Sequence, residues 1–279
     1  MALSQERQGK RLRIFAGEIG EVSPDFKVHP VGPCGFARCY VISGPEGLMV
    51  MDPGSLGAAR AVVEMIRNRL GMSPSAIRYV AATHFHIDHI GGMGPLLAAC
   101  GPETQVLFAD PVRDYLTGRR RLNLLPRWFS ALVPVAWASA GYVRRLADAL
   151  PANPAGIPLP GLRRFTRLPF AGERCVFLGG GMGPPGFEDW EIIRTPGHTE
   201  DSLSFYSPES AELICGDLLH NMHRGTGTLN AFCWDRNMIL ATLETLRRSI
   251  APRVIYPGHG EAVRDEKNAL LGVKVEGFA

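Results

Sequence analysis

The segment Thr83 to Gly92, THFHIDHIGG, places three of the chain's eight histidines, with an aspartate among them, between positions 84 and 89. It follows a short apolar run, Ile77 to Ala82, and precedes a helix expected from about Ile90 to Cys100. Its polar side chains therefore stand at a strand end, where loops commonly present functional groups. In an extended chain, residues two apart point the same way, so His84 and His86 can bind one ion from one side. Asp88 and His89 fall where the chain turns into the helix, and their side chains can diverge toward a second ion. Imidazole and carboxylate suit zinc, iron and manganese, and three histidines leave a coordination position open for water. A solvated loop rich in histidine is the competing reading, and the density of donors argues against it.

Three further polar residues stand at expected strand ends: His198 in TPGHTEDS, Asp217 in ICGDLL and His259 in YPGHGE. Each has a neighbouring glycine, which permits the backbone turn that brings a side chain to a common point. Singly, each reads as a cap or turn residue. Together with THFHIDHIGG they form a constellation of metal donors. His220 and His223 follow Asp217 closely and are candidate substrate contacts, with loop histidines as the alternative. Cys215, two residues before Asp217, reads as a buried thiol on the same side of its strand.

The elements that must hold these residues are strands alternating with helices. In the first half, extended runs are expected at Arg11 to Phe15, Ala37 to Ser43, Leu48 to Met51, Ile77 to Ala82 and Gln105 to Ala109. Ala58 to Leu70 has helical apolar spacing, with Gly71 as its stop. The second half has strands at Arg174 to Leu178, Trp190 to Thr195, Leu203 to Tyr206, Glu212 to Cys215 and Val254 to Tyr256, with a helix near Asn237 to Ser249. Two sheets flanked by helices accommodate this order. Between the halves, about 110–173, lies a stretch rich in Leu, Ala, Trp, Arg and Pro that reads as a helical insertion, with Ala140, Val143, Leu146, Ala147 and Leu150 at helical spacing. Its Trp128 and Trp137, with Phe129 and Tyr142, either roof the site as substrate contacts, form a homodimer interface or complete the core. Gly179 to Phe187, GGGMGPPGF, lacks the lysine and following helix of a P-loop and reads as a mobile hairpin or loop.

With 279 residues, 46% of them hydrophobic and 20% charged, the chain can bury a substantial core, and residues 1–279 are expected to form one domain. A net charge of +3 from scattered basic residues argues against a nucleic-acid partner and leaves a small molecule as the expected one. The first residues carry positive charge without a following apolar stretch, so no secretory signal is expected. The longest apolar run, Phe129 to Val143, has 15 residues and contains Pro134, short of the ~20 that a membrane span needs. A cytoplasmic location follows as the default, and the six cysteines, without a CxxC pair, read as buried and reduced.

The order of Asp52, THFHIDHIGG, His198, Asp217 and His259 resembles the five motifs of the metallo-β-lactamase superfamily, in the branch that includes glyoxalase II and the acyl-homoserine lactonases. The resemblance covers nearly the whole chain apart from the insertion. It implies an α+β fold, a four-layer αβ/βα sandwich. It also implies two divalent ions per chain, zinc first, with iron or manganese accepted by the same donors. His84, His86 and His198 would bind one ion, Asp88, His89 and His259 the other, and Asp217 would bridge them. Asp52 would brace the ligand loop from behind. The aspartate at 217 separates the chain from true β-lactamases, which generally carry Cys or Ser there. The implied reaction is hydrolysis of an ester-type bond by a metal-bridging hydroxide, the bond being a thioester, lactone, other ester or phosphodiester. Asp88 and Asp217 would be the catalytic carboxylates, Asp88 assisting the leaving group when protonated. Two other activities fit the same resemblance: a persulfide dioxygenase with a single iron, and a non-catalytic member that binds a ligand at its metal pocket.

Overall fold

Alternation along the strands splits the apolar residues of the first half between two cores. In the computed structural model, which describes residues 26–32, 35–122, 140–158 and 163–277, Tyr40, Ile42, Met49, Met51, Tyr79 and Leu107 face one side of a sheet, and Val41, Leu48, Val50, Val80, Val106 and Phe108 face the other. The strands are β1 (Lys27–Pro30), β2 (Tyr40–Gly44), β3 (Gly47–Met51), β4 (Ile77–Ala81), β5 (Gln105–Ala109) and β6 (Cys175–Leu178), adjacent in that order. β1 to β3 pair antiparallel and β3 to β6 parallel. The outer face is covered by α1 (Leu56–Asn68), whose Ala59, Val62 and Ile66 lie in the same core as Val50 and Val80. Ser55 caps this helix, its hydroxyl accepting from the Ala58 amide at 3.0 Å.

The helix expected at 90–100 is two pieces, α2 (Ile87–Ile90) and α3 (Met93–Ala99). The break at Gly91 and Gly92 lets the chain press on the loop after β3. Gly92 donates to Pro53 O at 2.7 Å, and a β-carbon there would lie 2.2 Å from Ser55 O.

The second sheet comprises β7 (Gly181–Met182), β8 (Glu191–Arg194), β9 (Leu203–Ser207), β10 (Glu212–Asn221), β11 (Thr228–Leu229), β12 (Val254–Gly260) and β13 (Val263–Arg264). The order across it is β13-β12-β10-β9-β8-β7, with β11 on β10. Ile192, Phe205, Ile214 and Tyr256 fill the space between the sheets, while Leu213, Cys215 and Ile255 meet a carboxy-terminal helix, Arg236–Ser249, through Ile239, Leu243 and Leu246. The layers thus run helix, sheet, sheet, helix, as expected. GGGMGPPGF is a hairpin: Gly181 and Met182 pair with Ile192 and Glu191, and Phe187 is buried between the sheets.

Within 110–173 the described elements are α4 (Asp110–Thr117), α5 (Leu146–Ala149) and short 3-10 turns. The apolar stripe from Ala140 to Leu150 does not form one helix. The buried Asp148 carboxylate accepts from the Arg144 and Arg145 amides, both at 2.9 Å, so a new turn starts at Leu146, whose side chain is 75% exposed. Trp128, Phe129, Trp137 and the strand expected at 11–15 lie outside the described residues. The remaining helix, Arg236–Ser249, is α6. No described helix is long and apolar enough to cross a membrane. Of the five described cysteines, Cys39, Cys215 and Cys233 are buried, but Cys100 and Cys175 only partly so.

Candidate metal centre

β3 and β4 run parallel and end at one edge of the first sheet. Asp52, the residue after β3, is buried with φ of 52°, a left-handed conformation that aspartate tolerates better than most side chains. Its carboxylate accepts from the Thr83 amide and hydroxyl, each at 2.8 Å, and lies 3.0 Å from His89 Nδ1. Because the Thr83 hydroxyl donates to Asp52, its oxygen is free to accept from His84 Nδ1, 3.1 Å away.

The other histidines are oriented in the same way. His198, in the loop between β8 and β9, donates through Nδ1 to Phe232 O at 2.7 Å, and His259, near the end of β12, through Nδ1 to Phe36 O at 2.8 Å. A neutral imidazole that donates through one nitrogen presents a lone pair at the other. His84, His198 and His259 therefore turn Nε2 inward, and His89, with Nδ1 beside the Asp52 carboxylate, points Nε2 at Asp217. His86 enters through Nδ1, 2.9 Å from His84 Nε2 and 3.2 Å from His198 Nε2.

Asp217 sits among them, Oδ1 3.3 Å from His89 Nε2 and Oδ2 3.2 and 3.4 Å from the Nε2 atoms of His259 and His198. Asp88 Oδ2 lies 3.5 Å from His259 Nε2. Three groups of donors result, each with atoms within 4.8 Å of one another: His84, His86 and His198; Asp88, His89 and His259; and His84, His89 and Asp217. Seven expected donors thus meet in one place. Asp217 is not at a strand end: β10 continues past it, with register shifts against β12 on both sides of Gly216. The irregularity also separates Cys215, which faces α6, from Asp217, which faces the histidines. Space for Asp217 depends on Gly258, where a β-carbon would lie 2.0 Å from Asp217 Oδ1 and 3.0 Å from His89 Cε1.

The sequence model of the metallo-beta-lactamase superfamily matches residues 32–106 and 142–271. The chain belongs to that superfamily. It is 27% identical over 237 residues to the probable metallo-hydrolase YqjP of Bacillus subtilis, covering 80% of this chain and 67% of that one. It is 28% identical to the linear primary-alkylsulfatase of a Pseudomonas species over 80% of its own length, but spans only 41% of that protein. The hydroxyacylglutathione hydrolase of a Synechococcus species is 24% identical over 83% of this chain and 66% of its own. Among solved structures, the peroxy diiron species of the chemotaxis sensor ODP superposes with a TM-score of 0.55 at 15% identity, covering 89% of this chain and 90% of that one, a likeness of fold.

Superfamily members bind metal at the convergent histidines and carboxylates, and the donors here fit divalent ions. Both ring nitrogens of His89 and Asp217 Oδ1 are buried without a hydrogen-bond partner, a costly arrangement that a cation between His89 Nε2 and Asp217 Oδ1 would relieve in part. Burial holds His84 and His86 well below the usual imidazole range, and the neighbouring histidines add to it. Burial also lowers His198, against the pull of Asp217. Neutral rings are the ligand form. For His259, burial acts downward, but the Asp217 carboxylate, with help from Asp88, outweighs it and pushes the ring up to about 9; His89 is raised likewise by Asp217 and Asp52. Burial opposes ionisation of Asp217, yet His259 and His89 hold it well below the carboxylate range.

His220 is half-buried on β10, paired across the strands with His259, and burial lowers it; His223 is exposed on the turn beyond. Trp128 and Trp137 lie outside the described residues. Three participants were not singled out from the sequence. Thr83 links Asp52 to His84, Asn230 donates to Asp217 O at 3.0 Å, and Asp201 accepts from the Phe85 amide at 2.7 Å. Thr83 and Asp201 lie inside the motifs THFHIDHIGG and TPGHTEDS, where only the ligand types drew attention.

Proposed function

We propose that the chain is a metal-dependent hydrolase of ester-type bonds, working with two divalent ions. His84, His86 and His198 would hold one ion and Asp88, His89 and His259 the other, with Asp217 among both groups of donors. The observation that carries this reading is the convergence of seven donors, four of them histidines whose outward ring nitrogens face other partners. When bound, the ions supply Lewis acidity, lowering the pKa of water and polarising the oxygen of the scissile group.

The chain's own residues do the rest. The Nδ1 contacts to Phe36 O, Phe232 O, Thr83 and Asp52 prevent the rings from rotating, so little reorganisation is needed during the reaction. Asp217 fixes the two triads at a set spacing. Asp88 alone of the seven is not buried, its side chain being 29% exposed, so substrate enters on its side. There it is placed to hold a proton and pass it to the departing oxygen or sulfur. His220 on β10 and His223 on the turn beyond it are the candidate substrate contacts.

Zinc is the proposed ion, and the same donors accept iron or manganese. The hydroxyacylglutathione hydrolase relative supports a thioester, a lactone is the other substrate proposed for the glyoxalase II and lactonase branch, and the alkylsulfatase relative adds sulfate esters to the substrates worth assaying. The test is turnover of thioester, lactone, phosphodiester and sulfate ester substrates by zinc-loaded protein. Hydrolysis of at least one is expected, falling at least about 100-fold in His86→Ala. Oxygen uptake on a persulfide with one iron per chain would replace the hydrolase by the dioxygenase. Binding without turnover would leave a ligand-binding member.

A further inference from the structure

The first triad draws its donors from two places, His84 and His86 from the loop after β4 and His198 from the loop between β8 and β9. Two hydrogen bonds join these loops directly. Leu203 N donates to Thr83 O at 2.8 Å, and the Phe85 amide donates to Asp201 Oδ2 at 2.7 Å, across a separation of 116 residues. His84 is held between the two. We infer that Asp201 is a positioning residue that locks the His84 and His86 segment onto the His198 loop and so sets the geometry of the first ion's site.

The geometry argues for a dedicated role. Asp52 secures the amide of Thr83 and Asp201 that of Phe85, so a carboxylate from each half of the chain holds an amide beside His84 and leaves the imidazole turned to the donors. Asp201 is 3% exposed and Phe85 fully buried, so loss of the acceptor would leave a buried amide without its protein partner. Tyr115 Oη approaches the second carboxylate oxygen at 3.5 Å, and Asp201 and Tyr115 line a small cavity with Phe85 and His86. On the His198 side, the loop is tightened by Ser202 Oγ, 2.8 Å from Thr199 Oγ1 and accepting from the Thr199 amide at 3.2 Å. Burial pushes the Asp201 carboxyl up to about 6, a cost that a purely space-filling residue would avoid.

The inference rests on reading these histidines as metal ligands. Its test is zinc affinity at each site, by chelator competition, with hydrogen exchange of the Phe85 amide in zinc-free protein. Asp201→Leu fills similar space without an acceptor; Asp201→Asn keeps an acceptor oxygen. Asp201→Leu should weaken the first zinc by about 10- to 100-fold and expose the Phe85 amide to exchange, while the second zinc changes by less than about threefold. Asp201→Asn should stay within about threefold of the unmodified protein at both sites. Should the leucine variant not fold, Asp201→Ala carries the same expectation. Unchanged zinc affinity in an acceptor-free variant, or equal loss at both sites, would overturn the role of Asp201 and leave the ligand assignment standing. Unmodified protein that binds no zinc would overturn both.

Discussion

Asp52→Asn separates the orienting role of a carboxylate from its bulk. Asparagine tolerates the φ of 52° at this position, so backbone strain stays small, whereas alanine would add about 1–2 kcal/mol. The amide oxygen can replace Oδ1 and still accept from the Thr83 amide at 2.8 Å. An NH2 group then takes the place of Oδ2, facing the Thr83 hydroxyl at 2.8 Å and His89 Nδ1 at 3.0 Å. The hydroxyl can rotate to accept. His89 Nδ1 must also accept, which moves the ring proton to Nε2, the atom that faces Asp217 Oδ1 at 3.3 Å and should hold the second ion. Loss of such an orienting partner costs about 10- to 100-fold in metal affinity, equivalent to about 1.4–2.7 kcal/mol. Weakening of charge-assisted hydrogen bonds adds about 1–3 kcal/mol of lost stability in the metal-free protein. Chelator competition should show the second zinc weakened and the first nearly unchanged, and long-range 1H–15N spectra of the histidine rings should report the altered tautomer. A variant that keeps the Nδ1–H tautomer at His89 and binds both ions like the unmodified protein would refute the reasoning.

Gly258→Ala places a methyl group 2.0 Å from Asp217 Oδ1 and should displace the shared carboxylate, lowering zinc content at both sites; two zinc ions per folded variant chain would contradict this. Asp201 gives a pH-dependent expectation. Its folded-state pKa of about 6 lies above the ordinary 3.8, so protonation contributes stability that is full below about pH 3.8 and lost as pH rises through about 6. About two pKa units correspond to about 3 kcal/mol, so Asp201→Asn should gain about that much on the unmodified zinc-free protein between pH 3.8 and 7 in urea unfolding. A difference independent of pH would count against the buried ionisation.

The donors were legible where chemistry is local. His84, His86, Asp88 and His89 stand in one short segment, and simple alternation puts the first two side by side at 2.9 Å. β5 and α1 were readable from their apolar periods. What alternation cannot show is a register shift: ICGDLL reads as a strand end, yet the irregularity at Gly216 lets β10 continue to Asn221 while Asp217 turns toward the histidines. Nor can spacing show which backbone carbonyls orient the rings, since Phe36 O lies 223 residues from His259 and Phe232 O 34 from His198. The stripe from Ala140 to Leu150 failed as a helix because a buried acidic side chain, Asp148, satisfies the amides ahead of it. Periodicity counts apolar positions and does not register such a cap.

The central claim is that seven side chains hold two ions, and the most direct measurement is metal content per chain by plasma mass spectrometry on protein purified without chelator. The account requires two divalent ions per chain. Protein that stays metal-free when offered zinc, iron and manganese, with its fold intact, would contradict it.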